Sequence, residues 1–283
     1  MIKALSTRFI NLKTVSTIIG ITSLTSSLYF YNKSTLAIQN DSNQLKPLFP
    51  NYIFGTKLKL KEIIQDTHDT KILKFQIPDG YNLGLSPGQP ILLSLRDKQT
   101  GSLKIKPYSP LIGPEDNQDT LQFAIKLFNE NGTSGALHKL EIGDEIKFRG
   151  PLPINNFKFK PEEKVNFIAG GCGITPIYSM ISKLLEQGQN EIKLIYSSSH
   201  ANEIILKSKI DELKSKYGDK FHVIYLSNNG YQQDVLKSKI NYEFLSQNLF
   251  QNSNLIVCGS KGLTTDIKNK YLNKSLNNKL YIL

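Results

Sequence analysis

Phe167-Ile168-Ala169-Gly170-Gly171-Cys172-Gly173-Ile174-Thr175-Pro176 reads as an apolar strand that enters a glycine-rich turn and continues into a helix. Glycines let a backbone come close to a phosphate. A helix N-terminus adds unpaired N–H groups and the positive end of a dipole, and Pro176 suits a first turn. The turn therefore suits a dinucleotide, and equally a tight strand-to-helix connection with no ligand, so its surroundings decide. After Glu163, the runs VNFIAG, IKLIYSSS, FHVIYLS and LIVCG alternate with the helix-like runs ITPIYSMISKLLEQ, ANEIILKSKIDELKSKY and QQDVLKSKINYEFLSQ. Such alternation predicts a parallel α/β sheet with helices on both faces. Ligands of these sheets bind beyond the carboxyl ends of the strands, so the strand ending in Val257-Cys258-Gly259 should bring Cys258 and Gly173 to one crevice. A buried cysteine is as often a small hydrophobe as a participant, and the glycine that follows it favours participation.

Upstream, from Tyr52 to about Phe159, the period shortens to two. KLKLKEIIQ (57–65), KILKFQI (71–77), PILLSL (90–95), LQFAIKLF (121–128) and EIKFRG (145–150) are separated by Gly, Pro, Asp and Asn. Short alternating runs of this kind, with one brief helical stretch at SGALHKLE, predict a small antiparallel β-barrel. Within it, Lys106-Pro107-Tyr108-Ser109-Pro110 sets a cation, a flat ring and a hydroxyl on a backbone stiffened by prolines. Those groups suit a phosphate, a stacked ring system and a ring nitrogen; the plain alternative is a proline-rich turn with an exposed tyrosine. Gly132-Thr133-Ser134 opens the helical stretch and suits either a second phosphate or simple capping. The proline-rich Pro151–Glu163 is the expected hinge, which gives segments 1–45, 50–157 and 163–283.

The 283 residues carry 35 Lys+Arg against 24 Asp+Glu, a net charge of +11 spread along the chain rather than gathered in a nucleic-acid motif, so nucleic acid is not an expected partner. Two cysteines cannot form a disulfide scaffold, and the four histidines show no metal-ligand spacing, so no metal is expected and any cofactor should be organic. The first 40 residues hold Lys3, Arg8, Lys13 and Lys33, many Ser and Thr, and no acid before Asp41, the composition of a mitochondrial targeting segment. Thr14–Asn32 is a run of 19 uncharged residues ending in Tyr29-Phe30-Tyr31, long enough for one N-terminal transmembrane helix with an interfacial aromatic belt. Eight Ser and Thr dilute its hydrophobicity, and a cleaved leader is the alternative. The expectation is a single-pass protein of a mitochondrial membrane, in the outer membrane or in the inner one facing the intermembrane space.

Taken in order, KPYSP, AIKLF, GTS, EIGDEIKFRGP, FIAGGCGITP and VCG resemble the cytochrome b5 reductase branch of the ferredoxin-reductase-type flavoenzymes over about residues 55–260. The resemblance implies an FAD-binding antiparallel barrel followed by an NAD-binding α/β domain, with hydride passing from NADH to FAD and electrons leaving to a haem protein. By the same resemblance Tyr108 stacks on the flavin, Ser109 bonds near its reactive nitrogen, and Lys106, Pro107, Gly132, Thr133 and Ser134 belong to the flavin grip. Ile125 and Leu127 lie on a strand that holds the flavin through its backbone. Gly171, Gly173 and Thr175 match the NADH loop, and Cys258 and Gly259 stand near the nicotinamide. Ser109 and Cys258 are thus the expected catalytic pair.

Lys106 replaces the family's arginine, and Ser260-Lys261-Gly262 replaces its prolines. Glu203 falls where the family often has an acid, and no arginine follows the serines of IYSSS to take a 2′-phosphate, which favours NADH over NADPH. The acceptor implied is of the cytochrome b5 or cytochrome c type. Two alternatives stay open from sequence: a mitochondrial flavoprotein that supports haem attachment to cytochrome c, and a redox-inactive binding scaffold.

Overall fold

The computed structural model describes residues 45–49, 51–113, 119–154, 157, 159–160, 162–188, 191–238, 240–272 and 279–283. Lys46–Leu283 form one compact unit. The uncharged run Thr14–Asn32 lies outside the described residues, and among those described no helix is long and apolar enough to cross a membrane.

The first part contains β1 (Lys46–Pro47), β2 (Asn51–Thr67), β3 (Thr70–Gln76), β4 (Tyr81–Asn82), β5 (Ile91–Arg96), β6 (Leu103–Tyr108), β7 (Thr120–Lys126), α1 (Thr133–His138) and β8 (Glu145–Gly150). Six of the strands form an antiparallel sheet in the order β6-β5-β8-β2-β3-β7, and β1 pairs separately with β4. Alternation drives the curl: Leu58 and Leu60 of β2 enter the core while Lys57 and Lys59 face out. Strand β2 pairs with β8 up to Lys59 and with β3 from Leu60, and a register shift between Leu60 and Glu62 bends it from one partner to the other. The enclosed core is dominated by Phe75, Phe123 and Phe148, with Phe75 edge-on to Phe148 at 4.9 Å. Helix α1 packs against both β6 and β7, covering the gap between the two sheet edges.

Strand β6 does not announce itself in the sequence. Pro107 lacks a ladder donor, so its neighbourhood reads as a turn, but β6 is an edge strand, where proline is tolerated, and Pro107 sits opposite Leu92.

The second part contains β9 (Val165–Gly170), α2 (Ile174–Glu186), β10 (Ile192–His200), α3 (Lys207–Tyr217), β11 (Phe221–Asn229), β12 (Val235–Lys237), α4 (Tyr242–Asn248), β13 (Asn254–Cys258), α5 (Lys261–Leu272) and β14 (Leu280–Ile282). These strands are all parallel, in the order β12-β11-β10-β9-β13-β14. The chain starts at β9, grows one way to β12, then returns to the other side of β9, so the strand order reverses between β9 and β13. Phe167 and Ala169 face a core with Ile177 and Ile210, while Ile168 faces another with Leu245 and Ile267, so helices cover both faces.

The run QQDVLKSKINYEFLSQ, expected to be helical, is divided. Val235–Lys237 adds an edge strand, and the helix begins only at Tyr242, where the Asn241 side chain accepts the Phe244 N–H at 2.8 Å. The C-terminal Leu280–Ile282 closes the opposite edge as β14. Ile72, Leu111 and Ala124 on the outside of the barrel share a core with α2 and β10, which joins the two sheets.

Candidate cofactor cleft

At the reversal point, Ala169 of β9 stands opposite Cys258 of β13. Gly171-Cys172-Gly173 forms a 3-10 turn laid across the end of β13. A Cβ at Gly173 would overlap the Cys258 carbonyl, and one at Gly259 would come within 3.2 Å of the Gly170 backbone. Gly171 is needed for a different reason, its left-handed φ of 51°. Cys258 and Gly173 therefore meet as the strand logic required, and Thr175 closes the turn by donating its hydroxyl to the Cys172 carbonyl at 3.2 Å.

The turn is braced from behind by Tyr196, which sequence reading did not single out. Its fully buried hydroxyl donates to the Gly171 carbonyl at 3.2 Å and accepts the Ile205 N–H at 3.0 Å. The available signal was a phenol in the mainly apolar start of a parallel strand. Burial pushes the Cys172 and Cys258 thiols up to about 11, the latter also feeling Cys172. Both thus stay protonated at neutral pH, which suits contact and shaping rather than thiolate attack.

On the barrel side, Tyr108 ends β6 half-buried, and burial, then the neighbouring Cys172, pushes its phenol up to about 12. Lys106 lies two residues earlier on the same strand face and is close enough for its charge to act on Cys172. Lys104, on that face too, donates to the Asn131 carbonyl at 2.8 Å and ties the loop before α1 to β6. Pro107 alternates to the other side and is exposed. The Ser109 hydroxyl donates to the Gly88 carbonyl at 3.1 Å. Ser109, Gly88, Pro176, Cys258 and Leu283 line one cavity of about 440 Å³, so the two residues expected to carry the chemistry, one just after β6 and one ending β13, line the same space.

The α1 region is more self-contained. The Ser134 hydroxyl is buried and accepts the N–H of Phe128 at 3.2 Å and of Asn129 at 3.4 Å. Gly132 is the N-cap and donates its N–H to the Asn129 carbonyl at 3.0 Å, while Thr133 begins the helix half-buried. Close packing demands a glycine not singled out from sequence, Gly135, whose Cβ would overlap the Glu130 backbone.

Two expected residues are not brought to the cleft. Ile125 points its side chain into the barrel core and its carbonyl takes His138 Nε2 at 2.7 Å; Leu127 donates its N–H to the Asp69 carbonyl at 2.8 Å. Backbone groups on a strand alternate sides, and on β7 the open edge belongs to Gln122, which accepts the Leu111 N–H, and to Lys126, whose N–H reaches the Cys172 sulfur.

The Lys126 ammonium lies 2.6 Å from Asp69 and 2.9 Å from Glu203, so Glu203 is engaged by the barrel. Ser179 of α2 also crosses the seam, donating to the Pro110 carbonyl at 2.9 Å and accepting the Ile112 N–H at 2.9 Å.

The oxidoreductase FAD-binding domain family matches residues 57–158, and the oxidoreductase NAD-binding domain family matches residues 167–269. NADH-cytochrome b5 reductase 2 of Aspergillus oryzae is 28% identical over 262 residues, covering 89% of this chain and 81% of the relative. The protein of the same name from Lodderomyces elongisporus is 29% identical over 272 residues, covering 92% and 88%. Among solved structures, the cytochrome b5 reductase domain of Ulva prolifera nitrate reductase superposes with a TM-score of 0.69 at 20% identity, over 83% of this chain and 99% of that one.

Proposed function

The chain belongs to the NADH-cytochrome b5 reductase family of FAD- and NAD-binding oxidoreductases, and on that premise we propose that it passes electrons from NADH through FAD to a haem protein of the cytochrome b5 type. The observation that carries this reading is the convergence of Ser109 and Cys258 on one cavity at the strand-order reversal. The residues present fit a dinucleotide: Gly173 and Gly259 let the turn pack tightly on the end of β13, Gly171 holds a left-handed backbone with open space beside it, and Lys106 is exposed with no ion-pair partner among the described residues. When bound, FAD supplies the conversion of a two-electron hydride into single electrons.

In this reading Tyr108 offers a protonated phenol and a ring face for stacking, and Ser109 offers a hydroxyl at the barrel wall of the cavity. Lys106, Thr133 and Ser134 attend the phosphates, with Ser134 acting mainly by holding the loop at Phe128 and Asn129. Gly171, Gly173 and Thr175 shape the NADH turn, and Cys258 and Gly259 bound the nicotinamide end. The N-terminal segment, with Lys3, Arg8 and Lys13 before the uncharged Thr14–Asn32, supports a single-pass anchor in a mitochondrial membrane.

The direct test is rapid mixing of purified protein with NADH, followed by separate mixing with cytochrome b5 and cytochrome c. Bleaching of the flavin band, then faster reduction of cytochrome b5, is expected. A colourless protein, or flavin that NADH leaves oxidised, would overturn the proposal.

A further inference from the structure

The outer face of the barrel is laid out by strand register. Residues of β6 alternate, so Lys104, Lys106 and Tyr108 look to one side of the sheet and Leu103, Ile105 and Pro107 to the other. On that second side Pro107 stands opposite Leu92 of β5, and Leu92 opposite Arg149 of β8. Ile105 stands opposite Ser94, Ser94 opposite Lys147, and Lys147 opposite Lys57 of β2. Leu103 is level with Arg96, and Lys59 with Glu145. An apolar edge thus borders a basic field on one continuous sheet surface. We propose that this face binds the surface of a bilayer that contains anionic phospholipid.

Exposure and charge both point to such a partner. Leu103 is 56% and Ile105 46% exposed on an edge strand, where aliphatic side chains left in water invite association. Five cations, Lys57, Lys59, Arg96, Lys147 and Arg149, stand against one carboxylate, Glu145, and none of the five is in an ion pair among the described residues. Gly55 of β2 makes room for two of them, since a Cβ there would overlap the Lys147 stem and meet that of Arg149. A second copy of the chain is a poor fit, because two such faces repel. A bilayer fits better: a row of aliphatic groups enters below the headgroups while neighbouring cations stay level with the phosphates. Docked in this way, the barrel turns the side bearing Lys106 and Tyr108 away from the lipid. The proposal stands on the barrel and not on the N-terminal anchor. If Thr14–Asn32 spans the bilayer, its tether raises the local concentration of lipid and lets a face of modest affinity dock. Such a contact is peripheral, and alkaline carbonate releases it as the lysines lose their charge.

The experiment uses the flavin-loaded full chain with Ile105→Trp, a chain that has no other tryptophan, mixed with vesicles of phosphatidylcholine alone or with added phosphatidylserine. Phosphatidylserine should move the emission to the blue, and brominated acyl chains should then quench it; phosphatidylcholine alone should do neither. Leu103→Trp is the second reporter if the first disturbs flavin content or melting. Adding Lys57→Gln and Lys147→Gln should lower the ratio of docked to free protein about thirtyfold, at about fivefold for each cation near an anionic surface. Lys214→Gln with Lys216→Gln, an equal change of charge on α3, should leave it nearly unchanged. An equal loss from both pairs would overturn the proposal, since net charge alone would then account for binding. Emission indifferent to phosphatidylserine would do the same, and a shift produced only by polyglutamate would reassign the face to an acidic protein. Flotation with phosphatidylcholine vesicles reads the anchor by itself, so its failure stays separate from that of the face.

Discussion

A flat ring at position 108 contributes through area and stacking rather than through charge, since its phenol stays protonated. Tyr108→Ala should therefore lower flavin occupancy by the equivalent of about 1 kcal/mol or more, and Tyr108→Phe should largely preserve it. The ratio of flavin to protein absorbance after gel filtration measures both. At position 258 the largely buried thiol still lines the cavity with Ser109, so Cys258→Ser should leave melting and flavin content unchanged and slow only reduction by NADH. A destabilised variant with an unchanged reduction rate would return Cys258 to the core. Tyr196→Phe removes one hydroxyl and takes the partner from the half-buried Gly171 carbonyl and the buried Ile205 N–H. The expected loss is about 1–3 kcal/mol of stability together with a raised KM for NADH, read from a denaturant melt and steady-state kinetics.

At the scale of elements, the join between β7 and α1 depends on one imidazole. Burial, opposed by the hydrogen bond to the Ile125 carbonyl and reinforced by the Lys71 charge, holds His138 below its ordinary 6.5. Because its folded value is depressed, the neutral ring's contribution is complete above about 6.5 and is lost as the pH falls from there through the folded value. Melting temperature should decline over that window, and His138→Asn should flatten the decline while lowering stability at pH 8. The edge strands make a related point about local signals. Pro107 in β6 and the polar run around β12 look unlike strands because edges do not require a continuous ladder of donors or a buried face.

Over the whole molecule, Lys46–Leu283 is compact without the preceding residues, so a chain starting at Lys46 should fold, stay in solution and hold flavin. If Thr14–Asn32 spans a bilayer, the uncleaved full-length protein should resist carbonate extraction from mitochondria, whereas the shortened chain should not pellet. Complete extraction of the intact protein would remove the anchor from the proposal.

Strands β8 and β9 and the glycine turn after β9 were legible in the order of residues because their causes are local: alternation sets which face is buried, and a missing Cβ sets how close a backbone can come. The same locality put Cys258 at the end of a strand and Tyr108 beside Ser109. Which of these groups would meet was another matter. Ser109 facing Cys258, Tyr196 holding Gly171, Lys126 bridging Asp69 and Glu203, and His68 arriving beside Glu203 all join residues distant in the chain. Ile125 shows the finer limit. Its strand was recognised, but the side to which its backbone points follows from pairing with β3, and hydrophobic period does not encode which edge of a strand is left open. Periodicity reports burial face by face, whereas a site is made by the tertiary closure of one sheet against another.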